Sequence, residues 1–292
     1  MEKILITGGT GLVGENLTRL LDKSGFEIAI LSRSPKQKNE YKWDVSNDYV
    51  DEKALEGVSY IIHLAGAGIA DKRWTSERKK VIIDSRVDTA NLLFTKIKEN
   101  NISLKRFISA SGSNYYGAKT TEKIYKETDS AGDDFLGEVC KKWEKAALQF
   151  KDLDIPVTIL RTGIVLSEKG GALEKMKTPI VSPLGSGNQY LSWIHIDDLC
   201  NCYLESVKGN LDGIFNAVST EPHTSKTFSK ALAKAIRRPY LPLAVPSFLL
   251  KLFFGELSII LLEGSRLSNK KLLEKDIKLK FRSLKKAFEN LF

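Results

Sequence analysis

Gly8, Gly11 and Gly14 form G-x-x-G-x-x-G between an apolar run and an amphipathic one in KILITGGTGLVGENLTRLLDKSGFEIAILSR, residues 3–33. That spacing suits a pyrophosphate. The turn must be tight, its backbone must approach the ligand without an intervening Cβ, and the third glycine lets helix pack on strand. Thr10, Leu12 and Val13, between the glycines, then present backbone N–H groups at a helix N-terminus, which carries a partial positive charge. At the end of the second apolar run stands Ser32-Arg33-Ser34. A carboxylate there would hold a free ribose 2′-hydroxyl, whereas a guanidinium flanked by hydroxyls suits a 2′-phosphate. The expectation is a dinucleotide site that prefers NADP(H) to NAD(H).

Such residues need a strand–turn–helix–strand scaffold, and the chain supplies one and continues it. Gly25 marks the C-cap of the first helix. Strand-like runs follow at Tyr41–Asp44 and Ser59–Leu64, then a long helix from about Thr75 to Asn100. Lys105–Ala110 reads as a strand, Phe135–Phe150 as a helix and Val157–Arg161 as a strand. This β–α alternation with apolar strands implies a parallel sheet covered on both faces. Beyond Thr162 the pattern loosens, with loops at Gly170-Gly171 and 183–187 and helices from Thr227, punctuated by Pro239, Pro242 and Pro246. The expected architecture is α/β: a Rossmann-type doubly wound parallel sheet over residues 1–165, with a smaller, mainly helical C-terminal lobe over 166–292. That lobe interleaves with the sheet around 190–220 and ends in an apolar-helix segment, 244–292.

Composition excludes several classes. A chain of 292 residues with 42% hydrophobic and 28% charged residues can bury a sizeable core. The net charge of +9 is spread among acids and accompanies no nucleic-acid motif, so it reads as a solvated surface. Phe248–Leu262 is apolar but short for a membrane span and is interrupted by Lys251 and Glu256. It is instead a candidate core helix or a helix packed between subunits of a homo-oligomer. Cys140, Cys200 and Cys202 lack metal-ligand spacing and read as reduced thiols of a cytoplasmic protein without a signal peptide. No metal site is expected.

Across nearly its whole length the chain resembles the extended short-chain dehydrogenase/reductase superfamily, and within it the atypical YfcH-like "epimerase family". The resemblance rests on ITGGTGLVG (6–14), SRSP (32–35), HLAGAGIADKRW (63–74), SRVDT (85–89), SASGSNYYG (109–117) and CKKWE (140–144). LRTGIVLSEKGGAL (160–173), GSGNQYLSWIHIDDL (185–199) and VPSFLLKLFFGE (245–256) complete it. It implies that Leu64-Ala65-Gly66 lie against cofactor ribose and phosphates, that Asp44 borders the adenine, and that Arg86 reaches a phosphate. Thr162, Gly163 and Ile164 would line the nicotinamide end. Asp197 and Asp198 read as capping a helix start, and His195 as packed in the core.

The resemblance also exposes a departure. Catalytic members of the superfamily carry Tyr-x-x-x-Lys on the helix after the fifth strand, where i, i+4 spacing puts both side chains on one face. Here that helix reads DFLGEVCKKWEKAA, without tyrosine, and Leu136 and Cys140 fill the two places. Two literal strings exist, Tyr49 to Lys53 and Tyr115 to Lys119, the second in a loop across Gly117. Ser111 falls where the superfamily places its carbonyl-binding serine, with Ser113 an alternative, and Tyr115 and Tyr116 are the candidate proton donors. The function expected is an NADP-dependent oxidoreductase or epimerase on a small-molecule substrate bound near these residues and the Gly185–Gln189 loop. The alternative is a non-catalytic NADP-binding sensor.

Overall fold

The computed structural model describes residues 1–292. Its first half is the expected alternation: β1 (Lys3–Thr7), α1 (Leu12–Lys23), β2 (Glu27–Ser32), β3 (Glu40–Asp44), a short β4 (Tyr49–Val50) and one turn of α2 (Glu52–Leu55). Then come β5 (Val58–His63), α3 (Ser76–Glu99), β6 (Arg106–Gly112), a short β7 (Ile124–Tyr125), α4 (Phe135–Leu148) and β8 (Val157–Thr162). The second half adds β9 (Ile164–Leu166), α5 (Ala172–Met176), β10 (Trp193–His195), α6 (Ile196–Val207), β11 (Gly213–Ala217) and α7 (Ser225–Ala235). It closes with α8 (Ser247–Phe254), α9 (Ile259–Leu262), β12 (Arg266–Leu267), α10 (Lys270–Leu273) and α11 (Leu284–Leu291).

Eight strands form one sheet in the order β11-β8-β6-β5-β1-β2-β3-β4. Every neighbouring pair is parallel except β3 with β4. Strand order reverses between β1 and β5, and ligands of open α/β sheets bind outside the carboxyl ends of the strands at such a switch point. Alternation along β1 shows why its strands are apolar on both sides. Ile4 and Ile6 pack toward α1 and α6, against Leu17, Leu21 and Tyr203. Leu5 packs on the opposite face with Leu92, Leu93 and Ala147 of α3 and α4. Residues 196–217 thus return to the sheet, α6 covering one face and β11 forming an edge. A separate core of Leu173, Trp193, Phe228 and Phe288 holds the C-terminal lobe together.

Local signals in the sequence account for the helix ends. Gly25, at φ +87°, follows α1 in a Schellman arrangement. Its N–H bonds to Asp22, and that of Phe26 to Leu21. Thr75 and Asp134 cap α3 and α4 by accepting from Arg78 N and Gly137 N. At α6 the structure corrects the sequence reading: the cap is His195, whose Nδ1 accepts the Asp197 N–H at 3.1 Å. Asp198 lies buried in the first turn, and its carboxylate accepts the N–H groups of Lys280 and Phe281 at 2.7 and 2.9 Å. It therefore pins the C-terminal segment onto α6. His195 is buried against the Phe281 ring, its centroid 3.8 Å away.

Candidate functional site

The crevice at the switch point is shaped by glycines. Gly8 takes φ +69°, and a Cβ there would come within 3.0 Å of the Leu64 carbonyl. A Cβ on Gly14 would lie 2.3 Å from the Gly8 oxygen, so α1 can approach the turn only because that position is bare. Gly11 stands at the helix N-cap without any side-chain cap, leaving the first-turn N–H groups of α1 for a ligand. Thr10 and Gly11 are exposed, and Leu12 and Val13 half-buried. Across the crevice the Thr7 hydroxyl accepts the N–H groups of Leu64 and Ala65 at 3.2 and 3.1 Å. One side chain thereby holds the glycine turn and the Leu64-Ala65-Gly66 segment edge to edge.

At the end of β2, the Ser32 hydroxyl accepts Ser34 N–H, while Arg33 is exposed and its guanidinium has neither hydrogen bond nor ion pair. The Asp44 carboxylate is committed locally. It accepts from Ser46 N, Ser46 Oγ and Asn47 Nδ2, and these bonds hold its pKa below the usual range. Any adenine contact at this end would meet the turn that Asp44 caps.

Arg86 is buried beneath the loop that follows β5. Its Nη1 donates to Ala67 O at 3.0 Å and Ile82 O at 2.8 Å, and its Cζ sits 4.9 Å from the Trp143 ring centroid. Gly66 exists to make room for it: a Cβ there would fall 2.8 Å from Arg86 Cζ. Burial pulls the Arg86 pKa down to about 10, which leaves it protonated at neutral pH. Nε has no partner, so Arg86 is a buried cation directly under the loop that faces the crevice. Behind it, Trp143 Nε1 donates to His63 Nδ1 at 3.3 Å. The Nδ1 nitrogen must therefore be bare, which leaves the proton on Nε2, 2.9 Å from Thr89 Oγ1.

The three candidate catalytic side chains sit together at the end of β6 but differ in freedom. Ser111 is buried and donates to Glu144 Oε1 at 2.7 Å. Tyr116 is buried too; its phenol donates to Asn216 Oδ1 at 2.7 Å and accepts from Arg161 Nη1 at 2.9 Å. Burial pushes the Tyr116 pKa up to about 12. Tyr115 is half-buried, its phenol makes no hydrogen bond, and the Arg161 guanidinium stacks 3.3 Å from its ring centroid. At the centre is a pair the sequence reading gave no role: Arg161 Nε and Nη2 reach both Glu144 oxygens at 2.8 Å, with both side chains almost wholly buried. A charged pair so enclosed is satisfied only by this bidentate geometry. The signal was available, since Arg161 is the one charged residue in the buried strand β8 and Glu144 falls on the buried face of α4.

Leu136 and Cys140, at the places of the superfamily's tyrosine and lysine, are buried packing residues. Cys140 Sγ lies 3.8 Å from Gly112 O, and burial pushes its pKa up to about 11. Gly163 has no room for a side chain, since a Cβ would lie 2.4 Å from Ser192 O; Thr162 and Ile164 flank it half-buried. Ser192 also lines a cavity of about 170 Å³ with Tyr190, Thr220, His223 and Arg266. In the loop expected near the substrate, Gln189 is wholly buried and clamps the backbone, donating to Leu184 O and Leu261 O. No group of three or more His, Cys, Asp or Glu is placed to hold a metal ion. No helix is long and apolar enough to cross a membrane.

This glycine-lined crevice on a parallel sheet is that of a nucleotide-binding short-chain dehydrogenase/reductase, and known proteins agree. Residues 4–137 match the NAD dependent epimerase/dehydratase family, and residues 245–291 match a domain of unknown function, DUF1731. An epimerase family protein of Staphylococcus aureus is 34% identical over 100% of this chain and 99% of its own length. One from Staphylococcus epidermidis is 32% identical over the same shares. The crystal structure of human epimerase family protein SDR39U1 with NADPH superimposes with a TM-score of 0.87, at 30% identity over 99% of this chain and 98% of that one. A nucleoside-diphosphate sugar epimerase from Corynebacterium glutamicum gives 0.79 at 28% identity, covering 98% of this chain and 57% of that one. The chain belongs to the epimerase family of atypical short-chain dehydrogenases/reductases.

Proposed function

We propose that this protein binds NADP(H) in preference to NAD(H) and uses it in oxidation–reduction, or, starting from the oxidised coenzyme, in epimerisation, of an oxygenated small molecule. The observation that carries the reading is the unpaired Arg33 guanidinium at the end of β2, on the same crevice as the uncapped N-terminus of α1. A 2′-phosphate supplies the acceptor that Arg33 lacks, and the pyrophosphate suits the helix end. The dihydronicotinamide supplies hydride when bound. The chain's residues provide the rest: Arg86 lends positive charge beneath the phosphate loop, and Gly163 lets the Ser192 backbone close in beside the end of β8. Tyr115 carries the phenol free to hand a proton to a substrate oxygen, because Ser111 and Tyr116 are already engaged with Glu144, Arg161 and Asn216. The human relative solved with NADPH supports the cofactor assignment.

A second reading, a cofactor-occupied sensor without turnover, is favoured by one observation, the replacement of the Tyr and Lys positions by buried Leu136 and Cys140. Titration with both reduced coenzymes, followed by absorbance assays against carbonyl compounds and nucleoside-diphosphate sugars, separates the two. Arg33→Glu is expected to cost about 10- to 100-fold in NADPH affinity, the worth of a charge-assisted bond and more, while sparing NADH. Turnover that Tyr115→Phe abolishes without weakening NADPH supports the enzyme. Tight NADPH binding with no turnover across the panel supports the sensor, and no binding of either coenzyme refutes both.

A further inference from the structure

Charges of both signs mix along most of the chain, but residues 222–255 carry six Lys and Arg and no Asp or Glu, against a net charge of +9 for the whole. Five of the six lie on α7 and just past its end. Lys226, Lys230 and Lys234 are exposed and fall at i, i+4 and i+8, one face of the helix, with about 6 Å of rise between neighbours. The opposite face is fixed. Phe228, Leu232 and Ala233 are buried, and Phe228 meets Phe288 of α11 edge to face, their centroids 5.5 Å apart. The lysines are therefore held outward. Arg237 and Arg238, also exposed, extend the row beyond the helix.

None of these five cations forms an ion pair. The acids beside α7 are engaged elsewhere: Glu221 accepts the Leu284 N–H and lies 3.2 Å from His223 Nε2, and Glu289 of α11 pairs with Lys285. Like charges four residues apart oppose each other, and Lys226 in the first turn opposes the helix dipole, so the row gives α7 no stability of its own. From Lys226 to Lys234 the row is about 12 Å long, straight enough to lie along a plane of negative charge within reach of a Debye length of about 8 Å.

Two observations choose among polyanions. The helix face carries lysines, point charges without the planar fork that grips single phosphates, and it exposes no aromatic ring for a base to stack on. The stretch beyond it exposes apolar side chains instead. Arg238 Nη1 donates to Lys177 O, Val181 N to Pro239 O and Leu241 N to Val181 O, and this joined stretch leaves Ile180 56% and Leu243 73% exposed. A phosphate backbone offers a leucine nothing, whereas the headgroup–acyl boundary of a bilayer takes up lysines and apolar side chains together.

We propose that the α7 face docks reversibly on an anionic phospholipid surface. Each Lys or Arg held at such a surface is worth about fivefold, so five give a partition coefficient on the order of 10³ M⁻¹, half-binding at roughly 1 mM lipid. The full chain is expected to sediment with phosphatidylcholine vesicles containing about one-third phosphatidylglycerol, and not with phosphatidylcholine alone. About 1 M salt, where the Debye length is near 3 Å, should release it. Lys226→Glu with Lys230→Glu and Lys234→Glu should weaken binding about a hundredfold or more. Glutamine at the same three positions should give much of that loss by neutralisation alone. Melting temperature and NADPH affinity should hold in both variants, since none of the three side chains is in the core or the crevice. The proposal is overturned by a chain that ignores the anionic vesicles, by equal sedimentation with phosphatidylcholine alone, or by triple variants that bind as the parent does. Tighter binding to duplex DNA than to vesicles at equal phosphate would assign the row to nucleic acid and overturn it too.

Discussion

Glu144→Ala tests the buried network most directly. The Glu144 carboxylate receives Arg161 Nε and Nη2 at 2.8 Å and Ser111 Oγ at 2.7 Å, in a place where side-chain exposure is 5% or less. Truncation leaves a guanidinium without its counter-charge at a site water does not reach, and the unpaired survivor of a buried pair costs about 3–5 kcal/mol. For a chain of this size, about 2 °C of melting temperature goes with each kcal/mol, so the variant should melt about 6–10 °C lower. The opposite holds when both charges go. Glu144→Leu with Arg161→Met removes the pair yet keeps volume, and Tyr116 can still donate to Asn216. At least half of the lost stability should return, giving a coupling of about 2 kcal/mol or more. The assay is thermal and urea unfolding of parent, both single variants and the double. A Glu144→Ala protein melting within about 2 °C of the parent, or costs that simply add, would refute the reasoning.

Three further outcomes follow from the crevice, the core and a helix end. His63 is wholly buried, and burial, with Arg86 second, lowers its pKa to about 3 against an ordinary value of 6.5. Between those values the unfolded chain binds a proton that the folded chain does not. Stability is therefore full above about pH 6.5 and falls as pH drops toward 3, by up to about 1.4 kcal/mol per unit. Urea midpoints measured from pH 7 to 4 should fall more steeply for the parent than for His63→Gln; equal slopes would contradict the assignment. Gly14→Ala places a Cβ 2.3 Å from Gly8 O and should abolish coenzyme binding in a calorimetric titration. Gly25→Ala meets no atom within 4 Å but keeps the strained φ of +87°, so it should cost only about 1 kcal/mol and leave binding intact.

What sequence could and could not reveal divides along physical lines. The opening strand, turn and helix were legible because each requirement is local: an unbroken buried run on β1, a positive φ at Gly8 and a bare Gly14 all act within a dozen residues. The same holds for α3, whose observed ends at Ser76 and Glu99 sit where Thr75 and Asn100 provide the flanking groups. The short β4 was not legible, being two residues on an edge whose pairing with β3 depends on the intervening turn capped by Asp44. Assigning Asp197 and Asp198 to the cap of α6 failed because a ring nitrogen of His195 fills that role, and because the partners of Asp198 lie 82 and 83 residues away.

Chemistry at the site depends still more on distant pairing. Ser111 and Tyr116 look in sequence as available as Tyr115, for all three belong to one short run that ends β6 and follows it. They differ only through residues brought by α4, β8 and β11: Glu144 claims one hydroxyl, and Arg161 with Asn216 claims the other. In the helix where the superfamily keeps its acid and its lysine, this chain has invested the equivalent face in packing through Leu136 and Cys140, and placed its charge one turn further along at Glu144. The guanidinium that this carboxylate holds is the one stacked on Tyr115, so the pair fixes the ring of the only uncommitted phenol in the cluster. On the proposed reading, proton transfer and coenzyme selection would be decided at opposite ends of the crevice. Tyr115 depends on a buried ion pair drawn from two elements, and Arg33 on nothing but its position at the end of β2.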